Sequence, residues 1–68
     1  MSDPKIIGER LKKLRAEKKK SRNAVAEKVG VSISALQMYE NGKRIPRDEI
    51  KVKIAAYYQS SIESIFFA

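Results

Sequence analysis

A chain of 68 residues with 15 Lys and Arg against 8 Asp and Glu carries a formal net charge of +7, and it contains no Cys, His or Trp. That length supports one domain at most, spanning residues 1–68, and its core is lean, because domains near this size bury only about 60% of the surface the unfolded chain exposes. The missing residues exclude disulfides, thiolate zinc sites and histidine base catalysis. No cofactor or metal is expected, and the excess positive charge points to a polyanionic partner.

Charge is uneven along the chain. Residues 1–22 hold nine basic side chains against three acids, whereas from Ile54 to Ala68 only Glu63 is charged. A basic run of this kind is either a solvated helix face or a contact surface for an anion. The N-terminal Met-Ser-Asp-Pro-Lys lacks the apolar stretch of a signal peptide. The longest apolar runs, 54–58 and 65–68, fall far short of the roughly 20 residues that span a bilayer. An intracellular protein with no membrane partner is expected.

Taken in chain order, helical periodicity dominates. Ile7, Leu11 and Leu14 recur at i, i+4 and i+7, the signature of one buried helix face. Pro4 fits the first turn of that helix, where its missing N–H costs nothing, and the helix is expected to end in Lys18–Lys20. Ser21 offers an N-cap oxygen for a second helix. Val25, Ala26 and Val29 form its apolar stripe, and Gly30 suits a left-handed C-terminal residue. Ser32 is the next N-cap, opening a third helix that runs to about Tyr39 or Glu40, where Asn41-Gly42 is a stop signal. After Pro46, Asp48 and Glu49 favour the start of a fourth helix, which buries Ile50, Ile54, Ala55 and Tyr58. Ser61 caps a last short helix carrying Ile62, Ile65 and Phe66. Five short helices and no strand-like alternation make an all-α domain.

The second and third helices form a specific unit. Ala26 is small where two helices cross closely. Gly30, four residues on, permits the sharp turn between them, and Leu36 and Tyr39 dock the third helix. Such a tight pair reads as a helix-turn-helix, the alternative being an ordinary helical hairpin. A helix advances ~100° per residue. With Leu36 and Tyr39 inward, Ser34, Gln37, Met38 and Asn41 therefore face outward, with Ile33 on the flank. None is charged, although the protein is strongly basic. Gln pairs with adenine edges, Ser donates or accepts, and apolar groups meet thymine methyls in a major groove. Ser32, Ile33, Ser34, Gln37 and Met38 are the candidate base-reading residues. For Ile33 and Met38, burial against a neighbouring helix is the competing reading. Arg22, Asn41, Lys43, Arg44 and Arg47 border this strip as candidate phosphate contacts. Phosphate contacts position a protein, while base contacts specify sequence.

The residues Ile7-Gly8-Glu9-Arg10-Leu11, Leu14-Arg15, Ser21, Val25 to Ser32, Tyr39 to Arg44, Pro46, Ile54-Ala55 and Ser61-Ile62-Glu63 together resemble the Cro/phage-repressor (XRE-type) helix-turn-helix family. The resemblance runs from about Ile7 to Phe66. It implies a compact five-helix, lambda-repressor-like fold and a regulator that binds a palindromic double-stranded DNA operator. It also implies dimerisation through the C-terminal region, and a cytoplasmic setting in a bacterial or phage-infected cell. It further implies an ion pair between Arg15 and Glu40 that ties the first helix to the third. Some positions depart from the family pattern. Arg22 stands where Gln is usual, and Lys19-Lys20 replaces Gly-Leu. Gln59 replaces a Gly at the end of the fourth helix. Lys51 occupies a usually apolar position, so either that helix is rotated or Lys51 snorkels.

The C-terminal end is rich in apolar side chains. Tyr57, Ile65, Phe66 and Phe67 are the expected dimer surface, with Phe67 foremost, while the remaining apolar residues complete the core; the competing reading is a core-only role for this end in a monomer. No nucleophile–base pair or carboxylate cluster suggests an enzyme or a small-molecule substrate, since Glu27, Glu40 and Glu63 are spread over separate helices. A membrane-surface helix over residues 5–20 conflicts with the globular pattern of the rest. The rival reading is a protein-interaction module, such as a partner-bound antitoxin, using the same fold.

Overall fold

The computed structural model describes residues 1–68 and contains helices without strands. The helices are α1 (Pro4–Lys18), α2 (Arg22–Val29), α3 (Ile33–Glu40), α4 (Asp48–Tyr58) and a final short α5 (Glu63–Phe67). Each start has a local cause. Asp3 caps α1, accepting from the Lys5 N–H at 2.8 Å, with Pro4 in the first turn. Ser21 and Ser32 cap α2 and α3 by accepting from the Ala24 and Ala35 N–H groups at 3.1 and 3.0 Å. Such caps satisfy backbone donors that a helix start leaves unpaired. α4 has no side-chain cap but carries Asp48 and Glu49 in its first turn, where carboxylates oppose the helix dipole.

The helix ends are equally local. Gly30 closes α2 in a left-handed conformation (φ 85°), its N–H donating to Ala26 O at 2.8 Å. Lys19 and Gln59 close α1 and α4 in the same left-handed region, at φ 58° and 54°. The last helix departs from an α-helical expectation. It is wound wider, with the Ala68 N–H donating to Glu63 O at 2.7 Å, five residues back. Ser61 nonetheless caps it, accepting from the Ser64 N–H at 3.0 Å.

The core takes Ile7 and Leu11 from α1, Val25, Ala26 and Val29 from α2, and Leu36 and Tyr39 from α3. Ile54 and Ala55 of α4 and Ile65 and Phe66 of α5 complete it. Leu14, Ile50, Tyr58 and Ile62 pack at its edge, partly buried. Two of the residues expected at a dimer surface are thereby corrected. Ile65 and Phe66 lie at 2% and 0% exposure in the interior of the protomer. Both pack into the core, and Arg10 seals this end by donating to Ile65 O at 2.9 Å and Ala68 O at 2.7 Å.

Lys51 corrects a second expectation. Its side chain is only 6% exposed, so it does not snorkel to water, and α4 still buries Ile54 and Ala55. The ammonium is held 3.4 Å from an Asp48 oxygen and 3.9 Å from the Met1 sulfur. It lies 5.8 and 5.4 Å from the ring centres of Phe66 and Phe67. Aromatic faces attract a cation electrostatically, which offsets part of its desolvation.

Candidate nucleic-acid interface

The outward face of α3 is set by what holds its inward face. Leu36 and Tyr39 are buried, and Gly30 turns the chain so that α3 crosses α2. On the other side α1 approaches the end of α3 so closely that a Cβ on Gly8 would collide with the backbone carbonyls of Glu40 and Tyr39. These contacts fix the rotation of α3 about its own axis.

With α3 so fixed, Ser32, Ile33, Ser34, Gln37 and Met38 are all exposed, as is Asn41 just beyond the helix. Ile33 and Met38 are 42% and 41% exposed, which decides against burial on a neighbouring helix. All five candidate base-reading residues are therefore exposed, and none is charged. Lys43 is placed at the C-terminal end of α3 by its N–H, which donates to Met38 O at 2.9 Å. Lys43, Arg44 and Arg47 are exposed. Arg47 meets Glu49 at 3.3 Å, but both side chains are largely in water, so that pair is weak.

Glu40 is the centre of the electrostatics. Its side chain has no exposure, and it accepts from Arg15 Nε at 2.7 Å and Arg15 Nη2 at 3.1 Å. The ion pair implied by the resemblance is present and bidentate, the strong form of this contact. The hydrogen bond to Glu40 is the main cause raising the Arg15 pKa above its ordinary value, against the opposing effect of burial. Sequence reasoning missed the second partner. Arg22 Nε also donates to Glu40, at 2.9 Å, while the Arg22 side chain keeps 38% of its exposure. Arg22 thus joins α2 to the end of α3 while its side chain stays partly exposed. Nothing in the spacing of Arg22 and Glu40 signals this, because it depends on how α2 and α3 cross.

At the apolar end, Tyr57 and Phe67 keep exposed surface. Tyr57 is partly buried, with the Lys18 ammonium 4.9 Å above its ring and Tyr58 against its edge at 5.0 Å. Phe67 remains 43% exposed beside Val52, at 54%. The two line a shallow groove of about 190 Å³ with Asp48, Lys51 and Ile62. No helix is long and apolar enough to cross a membrane.

A family model described as helix-turn-helix matches residues 11–65, most of the chain and all of α2 and α3. No curated protein and no solved structure matches the chain.

Proposed function

Because this chain belongs to the helix-turn-helix family of XRE type and is a DNA-binding regulator, we propose that it is a repressor that reads a palindromic operator as a dimer, with α3 in the major groove. One observation carries the reading: an exposed strip free of charge on a protein of net charge +7, bordered by Arg22, Lys43 and Arg44. A solvated face would carry Lys or Glu. A strip that chooses bases needs hydrogen-bonding amides, hydroxyls and methyl-sized apolar groups instead. Ser34 and Gln37 supply the polar contacts, while Ile33 and Met38 supply the apolar ones. Ser32 stands at the N-terminal edge of the strip. Arg22, Asn41, Lys43, Arg44 and Arg47 engage phosphates. A second copy docks through Phe67 and Val52, with Tyr57 as a further candidate contact, and spaces two reading helices about 34 Å apart, one turn of DNA.

Selection of bound sites from random duplex DNA tests this reading. Wild type is expected to enrich a two-fold symmetric site, and Gln37→Ala to relax the preference at one position in each half. Arg22→Gln and Lys43→Gln are expected to weaken binding to every sequence alike. An unchanged preference in Gln37→Ala removes that residue from readout. Absence of DNA affinity even at low salt would favour the protein-interaction module. Sedimentation at micromolar concentration checks the dimer, which Phe67→Ser should dissociate.

A further inference from the structure

We infer that the Lys19–Lys20 turn is a second phosphate-gripping edge, one that extends the DNA contact beyond the cations bordering α3. The inference rests on the operator reading above. Lys19 occupies left-handed backbone (φ 58°), a conformation that glycine takes freely and a side chain takes at a cost. A lysine at such a site adds charge where a glycine would fold better. Neither Lys19 nor Lys20 forms an ion pair, and both are exposed. Lys18 differs, because its ammonium is spent over the Tyr57 ring.

The turn is held in place. The Lys20 N–H donates to Arg15 O at 3.2 Å, and the Lys20 carbonyl accepts from Arg15 Nη1, also at 3.2 Å. The same guanidinium grips Glu40, the last residue of α3, through its other two nitrogens. One planar group therefore ties the lysine turn to the C-terminal end of the reading helix. Arg22, two residues after Lys20, reaches the same carboxylate. Lys43 is hydrogen-bonded to Met38 at that same end of α3. The backbone of the lysine turn and Arg22 are thus both linked to Glu40 at the end of α3, just before Lys43, and that acid is buried under two arginines. A duplex whose major groove receives α3 presents its phosphate backbone to this end of the helix.

Each phosphate a cation neutralises adds about 0.9 to the magnitude of the slope of log affinity against log salt. Lys19→Gly, Lys20→Gln and the double variant would be titrated with the selected operator across a salt series, beside wild type. Lys13→Gln is the charge-matched control, because Lys13 lines a pocket with Ser60, Ser64 and Ile65 at the α5 end. Each single variant is expected to flatten the slope by roughly 0.9 and to lose on the order of tenfold affinity near 0.1 M salt. Lys13→Gln should leave the slope unchanged. Lys19→Gly should also melt higher than wild type, so weaker binding by a more stable protein separates the contact from a folding defect. A double variant whose slope matches wild type, or changes no more than that of Lys13→Gln, would overturn the inference. Wild type that fails to bind DNA at low salt would overturn the operator reading itself, and this edge with it.

Discussion

Gly8 sits in the interior of α1, where glycine ordinarily weakens a helix relative to alanine. Here the missing Cβ is the space into which the end of α3 packs. Gly8→Ala should therefore destabilise despite its better helix propensity, by about 2–3 kcal/mol. A thermal melt should show a fall on the order of 10 °C, and a rise would mean that α1 and α3 can separate cheaply. Glu40 gives the second prediction at this scale. Replacing it by Gln removes the one negative charge facing Arg15 and Arg22. Breaking a buried pair from one side is costly, and urea unfolding of Glu40→Gln should show a loss of about 3 kcal/mol. A change within error would show that both arginines find water instead.

Among the elements, the ends matter as much as the interiors. α4 terminates on Gln59 at φ 54°, and its closing bonds run from Gln59 N–H to Ala56 O at 3.2 Å and from Ser60 N–H to Ala55 O at 3.0 Å. Glycine keeps both bonds without the steric conflict between Cβ and carbonyl. Gln59→Gly should stabilise by about 0.5–1 kcal/mol, measured by denaturant midpoint, whereas a loss would mean that the Gln side chain contributes packing. The elements themselves were legible in the sequence, because their signals are local: Ser21 and Ser32 as caps, Gly30 as a turn, and the apolar spacing of Ile7, Leu11 and Leu14. The uncharged strip on α3 was legible too, since rotation about a helix follows from which two residues dock it. What local patterns do not carry is the outcome of packing between elements. The run Ile65-Phe66-Phe67 is apolar throughout, so its pattern cannot divide core from surface. Packing against the other helices does so, burying the first two. Lys51 reads as a misplaced charge until two phenylalanine rings and an acid are brought to it. Arg22 reads as a free cation until α2 meets α3.

For the molecule as a whole, stability should depend on pH at the alkaline end. The Tyr58 hydroxyl is buried with no hydrogen-bond partner. Burial first, and then the negative charge of Glu40, push its pKa from 10.0 up to about 12. The folded state favours the neutral phenol, so this contribution is complete below pH 10 and is lost as pH rises from 10 toward 12. The loss should be about 1–2 kcal/mol after allowance for solvent screening at a partly buried residue. Tyr58→Phe should flatten the fall relative to wild type in denaturation curves taken across that window, and parallel curves would reject the assignment. The arrangement around Glu40 has a consequence of another kind. A free arginine on a DNA-binding surface surrenders roughly 2 kcal/mol of rotamer freedom when it takes a phosphate. Arg22 has already lost much of that freedom in folding, because Glu40 holds its Nε. The carboxylate that would repel DNA if exposed instead serves as an internal tether. It holds Arg22 Nε in place in the unbound protein, so an Arg22 that contacts phosphate as proposed has less side-chain freedom left to lose on association.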